Sequence, residues 1–207
     1  MFIVLGEGNT DVRRNLLEAQ GALRVLVRRL LSEAFRRDVG EWEIEGDRLP
    51  RLHRGHGFRE KVRLAIANHS RDESVEFISI AIDRDGPANA QRLRLLEEGR
   101  GDAERRGHRL ADHTAVGVMI EMLEAWLLAD TGALARVLGT SGATRDPETI
   151  REPKSTLSAL IGEANITVSD AYDRLAEAAD MTVITRRCSA FERFAHEVRQ
   201  RATAAPA

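Results

Sequence analysis

Eight residues near the middle of the chain, Val75-Glu76-Phe77-Ile78-Ser79-Ile80-Ala81-Ile82, constrain the fold more than any other segment. Apolar and β-branched residues fall on both of its faces, a pattern stable only in a strand whose sheet is covered on both sides. A sheet with one wet face would alternate polar and apolar positions, and this run does not. The run ends at Asp83-Arg84-Asp85-Gly86-Pro87, a polar break. Residues 1–5 form a second short apolar run, stopped by Gly6-Glu7-Gly8, and residues 113–120 (HTAVGVMI) form a third. No hairpin signal joins them. The sequence therefore predicts an α/β chain with a mostly parallel sheet and helices on both faces.

The helices follow from three- and four-residue spacing. Asn9 and Thr10 are cap residues for a long amphipathic helix through Val12, Leu16, Ala19, Leu23, Leu26, Leu30 and Ala34. Seven arginines (13, 14, 24, 28, 29, 36 and 37) accompany it, and they are placed on its wetter sides. Residues 38–57 are rich in glycine and charge, with one strand expected near 43–45 or 51–53. Helices are expected over 58–69, 89–99 and 121–130. Beyond residue 130 the strand signal stops, and helices fit 131–138, 153–162 and 169–179. A last helix is expected from Ser189, with Glu192 completing a capping box. This divides the chain into a core over 1–130 and a helical extension over 131–207.

Composition excludes several classes. The 207 residues are 43% hydrophobic and 31% charged, enough to bury a core. Thirty-one Lys+Arg against 33 Asp+Glu leave a formal charge of -2, which rules out binding by bulk positive charge. A single cysteine, Cys188, excludes an internal disulfide and a multi-cysteine metal site, and it is read as structural. The six histidines lack zinc-ligand spacing. Without a signal-peptide pattern or a membrane-length apolar run, a cytoplasmic location is expected.

Acidic residues cluster just past the expected strand ends, where α/β sheets carry their chemistry. Glu7 and Asp11 follow the first strand, Asp83 and Asp85 the central one, and Glu121 and Glu124 the third. Spacing places Asp83 and Asp85 on one side, and Glu121 and Glu124 on one helix face. Six carboxylates on one rim repel unless cations neutralise them, and hard oxygen donors suit Mg²⁺ or Mn²⁺. Gly8 permits close backbone approach and Gly86 the turn after the aspartates. Against this stands the ordinary use of acids as caps at strand ends and helix starts.

Glu7-Gly8 after a first strand, followed by Asp83-Arg84-Asp85 after a central one, resembles the Toprim domain of topoisomerases, primases and OLD-type nucleases. The string EGNTD resembles the OLD-type version, in which Asp11 also reaches a metal. MIEMLEAWLLAD, then PETIREPKSTLSAL, then CSAFERF resemble more specifically the DUF4276 group of Toprim-like bacterial proteins. The resemblance runs from Met1 to about Phe194. It implies a Toprim/Rossmann-like fold and metal-dependent phosphodiester hydrolysis of DNA or RNA. Glu7, Asp83 and Asp85 would bind metal, Glu7 would do acid–base work, and Lys154 would correspond to a late functional lysine. The chain has no GxxxxGK[ST], so the ATPase half of OLD nucleases would be a separately encoded partner acting in defence or repair.

Two other readings stay open. The string ISIAIDRDG also resembles the first motif of haloacid-dehalogenase-type phosphatases, with Asp83 as nucleophile and Asp85 as acid/base. That motif lies deep in the chain here, and Pro87 stands where Thr or Val is usual. A non-catalytic Toprim-like interaction subunit is the other. The arginines of the first helix would then serve docking, or nothing beyond solvation. His53, His56, Arg51, Arg54 and Arg59 form a small basic loop segment, most simply solvated.

Overall fold

The computed structural model describes residues 1–6, 21–52, 57–84, 89–140 and 146–204. Four strands form one sheet: β1 (Phe2–Gly6), β2 (Ile44–Arg48), β3 (Phe77–Asp83) and β4 (Thr114–Met119), in the order β2-β1-β3-β4. Every pairing among them is parallel. Phe2 lies opposite both Ile44 and Phe77, and Asp83 lies opposite Met119. The helices are α1 (Ala22–Phe35), α2 (Phe58–His69), α3 (Arg92–Arg105) and α4 (Leu123–Leu127), followed by α5 (Thr131–Leu138) and α6 (Pro153–Glu163). Then come α7 (Val168–Ala178), α8 (Met181–Arg187) and α9 (Ser189–Thr203).

The two-residue period of the strands divides the core. Ile3, Leu5, Ile78, Ile80 and Ile82 meet Val62 and Ile66 of α2 and Leu96 and Ala103 of α3. Phe2, Val4, Phe77, Ala81 and Met119 point to the other face, which α1, α9 and the C-terminal helices cover. The doubly apolar run at residues 75–82 is thus a central strand between two helical layers. Trp126 is fully buried, edge-on to Phe191 at 5.0 Å and stacked on Phe194 at 5.6 Å between ring centroids. One hydrophobic cluster therefore runs from β1 to α9, across the boundary expected at residue 130.

Several elements differ from their sequence expectation. Helix α1 starts at Ala22, because Gly21 holds φ 82°, a conformation that L-residues avoid. The expected turns before it, with Val12, Leu16 and Ala19, lie outside the described residues. Of the arginines expected on its wetter sides, Arg36 and Arg37 are exposed, whereas the three within α1 are engaged by other elements. Arg24 is buried and donates to the Glu41 carbonyl at 2.7 Å, Arg28 pairs with Glu177, and Arg29 donates to the Ala176 carbonyl at 2.6 Å. They dock α1 onto α7 and onto the turn before β2. Helix α9 does begin at Ser189, but the carboxylate that caps it belongs to Glu148, not Glu192. Glu148 accepts from the Ser189 N–H (3.0 Å), the Ala190 N–H (2.9 Å) and the Ser189 hydroxyl (2.8 Å). Among the described residues no helix is long and apolar enough to cross a membrane.

Candidate functional site

Of the residues singled out by their chemistry, Asp83 and Glu121 lie at or just past the carboxyl ends of the neighbouring strands β3 and β4. Asp83 is the last residue of β3 and is half-buried. The ladder continues one step beyond it, the Arg84 N–H donating to the Met119 carbonyl at 2.9 Å. Arg92 donates to the Asp83 carbonyl while its guanidinium stands 4.9 Å from the centroid of the Phe58 ring. The neighbouring strand β4 and helix α3 thus hold the backbone at the end of β3.

Glu121 follows β4, and its Oε1 accepts from Arg84 Nη2 at 3.1 Å. Its φ is 64°, in the left-handed region. A non-glycine residue there costs of order 1–3 kcal/mol and persists only where its surroundings hold it. This turn corrects one expectation. Glu121 precedes α4 and does not share a helix face with Glu124, because the helix begins only at Leu123. Glu124 is almost fully buried, and its Oε1 accepts from the Tyr172 hydroxyl of α7 at 2.7 Å. Its carboxylate is therefore engaged with the C-terminal helices.

Lys154 is exposed in the first turn of α6. Together with Glu121, Met122, Arg151, Glu152 and Ser155 it lines an open cleft of about 390 Å³. The structure thus brings Lys154 and Glu121, 33 positions apart in sequence, to one cleft, and adds Arg151. Sequence reasoning missed Arg84, Arg92 and Arg151. Arg84 was visible as the middle residue of Asp-x-Asp, but its partner Glu121 is set by the β3–β4 pairing.

Glu7, Gly8, Asp11, Asp85 and Gly86 lie outside the described residues, as do His53, Arg54 and His56. Glu7 is next in sequence to Gly6, the end of β1, and β1 is hydrogen-bonded along β3 with Leu5 opposite Ile80. Among the described residues no three His, Cys, Asp or Glu side chains group as a metal site. Arg59, from the expected basic loop, is paired with Asp102 at 2.5 Å and with Glu98 at 3.5 Å. The Arg59 and Arg105 guanidiniums hold the Asp102 carboxyl at about 2, below its usual range. Burial pushes the Cys188 thiol up to about 12, which agrees with a structural role rather than a nucleophilic one.

No curated protein and no solved structure matches the chain. A family model described as a domain of unknown function, DUF4276, matches residues 19–199. That span contains Asp83, Asp85, Glu121, Glu124 and Lys154, and begins after Glu7 and Asp11. With most of its length inside the match, the chain belongs to the DUF4276 family.

Proposed function

We propose that this chain hydrolyses phosphodiester bonds in nucleic acid with the help of Mg²⁺ or Mn²⁺, in the manner of a Toprim nuclease. One observation carries the reading. The strand that leads into Glu7 and the strand that ends in Asp83 are parallel hydrogen-bonded neighbours, with the strand leading to Glu121 alongside. Parallel neighbours open their carboxyl ends at one edge, so the acid-bearing connections leave the sheet together. The donor chemistry fits a hard cation, since these positions offer carboxylates and no thiol or imidazole.

Glu7, Asp11, Asp83 and Asp85 would hold the cation, with Glu121 beside them. The buried bond to Tyr172 leaves Glu124 to the helical part. When bound, the cation would supply Lewis-acid stabilisation of the negative charge that develops on the phosphoryl and leaving oxygens, and would lower the pKa of a bound water. The protein's own groups do the rest. Glu7 would take the proton of the attacking water as the water oxygen bonds to phosphorus and the bond from phosphorus to the leaving sugar oxygen breaks. Arg84 keeps Glu121 in its strained turn, and Lys154 and Arg151 offer positive charge to the substrate phosphates along the cleft they share. A separately encoded ATPase is the partner this reading adds.

The Arg84–Glu121 pair also favours a second reading, because an acid neutralised by its neighbour suits an interaction subunit that never loads a metal. Calorimetric titration of Mn²⁺ and Mg²⁺ separates the two. The wild type should bind, and an Asp83→Asn/Asp85→Asn variant with an unchanged circular dichroism spectrum should not. Cleavage of single- and double-stranded DNA and RNA should then be lost in the same variant. A wild type that binds neither cation, alone or with substrate, would sink the nuclease reading in favour of the subunit.

A further inference from the structure

A second opening shares Arg84 with this rim. It measures about 200 Å³ and lies between the end of β4, the start of α3 and the first turns of α9. Its walls are apolar. A Cβ placed on Gly117 would come within 2.4 Å of the Phe194 ring, so the ring lies directly against bare β4 backbone. Leu93 and Ala190 line the opening as well, and Arg84 and Arg193 provide its charge. Arg193 is exposed and makes no hydrogen bond or ion pair with another described residue. Arg84 spends Nη2 on Glu121, while its Nε, shielded from water, has no acceptor among the described residues. A buried guanidinium N–H without an acceptor is costly unless a ligand supplies one.

Three properties define the occupant. Apolar walls around a ring edge take a flat, weakly polar group, and guanidiniums add stacking surface for it. Two cations without a second carboxylate between them call for an anion, and guanidinium matches phosphate in shape. The volume falls below the roughly 300–1,000 Å³ of pockets that enclose a whole small molecule. It holds one ring system, so the occupant is one unit of something longer. Arg84 directly follows Asp83, which places that unit beside the proposed centre.

We propose that this pocket receives one unstacked base, with its phosphate on Arg84 and Arg193, from the strand being cut. The inference rests on the nuclease reading and narrows its substrate to single-stranded or locally opened nucleic acid. A base inside a duplex is paired and stacked and does not enter such a slot without the cost of extrusion.

The test uses the full chain in EDTA, where cleavage is off, and fluorescence anisotropy of a short labelled oligonucleotide, single-stranded or annealed. Wild type should bind the single strand more tightly than the duplex. Arg193→Glu, at an exposed helical position, should weaken single-strand binding about tenfold or more, the scale of a charged hydrogen bond. Ala190→Trp should fill the slot with the same result; if it unfolds, Arg193→Glu decides. AMP should displace the strand and ribose 5-phosphate should not, because only the former carries a base. Equal affinity for duplex and single strand, unchanged binding by Arg193→Glu, or equal competition by ribose 5-phosphate would each overturn the proposal. So would AMP binding without strand binding, which would make the pocket a free-nucleotide site. Asp83→Asn serves as the separating control. If Arg193→Glu loses the single strand while no protein cleaves under Mn²⁺, the pocket stands and the nuclease reading fails. Cleavage that is lost with Asp83→Asn but indifferent to Arg193 gives the reverse.

Discussion

Removing one hydroxyl tests how Glu124 is used. Tyr172 and Glu124 are 2% and 5% exposed, and their side chains meet at 2.7 Å between α7 and α4. Tyr172→Phe keeps the ring and its packing and deletes only the donor. A hydrogen bond to a charged group contributes about 1.5–3 kcal/mol, and here the carboxylate left behind cannot turn to water. In a chain of 207 residues each kcal/mol moves the melting temperature by roughly 2–4 °C, so Tyr172→Phe should melt about 3–12 °C below wild type. Glu124→Gln keeps an oxygen acceptor in place and removes the buried charge. It should cost under about 1 kcal/mol and shrink the effect of Tyr172→Phe when the two are combined. Thermal unfolding followed by circular dichroism measures all four proteins, and Mn²⁺ titration of Glu124→Gln completes the set. An unshifted melting temperature in Tyr172→Phe would refute the packing argument. Loss of Mn²⁺ binding in Glu124→Gln would put Glu124 back among the metal ligands.

The remaining expectations concern packing and acid. Gly117→Ala should cost about 1–3 kcal/mol, because its methyl group would come within 2.4 Å of the Phe194 ring and force it to shift. The cost should fall in a Phe194→Leu background, and additive costs in urea titrations would show that the ring is not the obstacle. Arg37 holds the Glu43 carboxyl at about 2, and Arg59 does the same for Asp102, against ordinary values of 4.5 and 3.8. Groups with depressed folded-state values stabilise the fold fully above their unfolded values and lose that contribution as pH falls toward 2. The urea midpoint should therefore drop between about pH 4.5 and pH 2 in wild type, and less steeply in Glu43→Gln/Asp102→Asn. Parallel profiles for the two proteins would contradict the assignment.

Local signals were legible where burial alone decides the element. The run at residues 75–82 became β3, and the spacings at 58–69 and 131–138 match α2 and α5. Strand β2, Ile-Glu-Gly-Asp-Arg, was legible only as a vague possibility. It is an edge strand held by pairing with β1, and only Ile44 and Gly46 are fully buried. Helix α8, Met181–Arg187, carries a β-branched run with no helical stripe. Its start is fixed by Asp180, whose side chain accepts from the Thr182 N–H at 2.8 Å, and by burial of Met181 and Ile184. The α1 arginines were misplaced for a related reason, since their acceptors Glu41, Ala176 and Glu177 come from elements whose position only the fold sets. At the rim, the spacing of Glu121 and Glu124 gave no hint that the chain turns left-handed between β4 and α4.

The partners of the carboxylates, more than their charge, sort structure from chemistry. Asp130 accepts from the N–H groups of Gly132, Ala133 and Asp180 at 2.8–3.1 Å, and the nearest guanidinium, of Arg136, is 3.8 Å away. Glu148 meets the start of α9 and Glu124 meets Tyr172, again through neutral donors. Fixed amides and a buried hydroxyl satisfy an acid only in one backbone arrangement, so each of these three acids ties together two elements that follow β4. Glu121 differs. Its partner is the guanidinium of an arginine that is itself half-buried and adjoins the strand end at Asp83. A guanidinium can trade one anion for another at little cost to the backbone, whereas an amide in a cap cannot. On the proposed function, the rim is therefore where an incoming phosphate or cation would displace an existing contact without unfolding a helix. The neutral contacts of Glu124 and Glu148 would hold α4 and α9 in place during such an exchange.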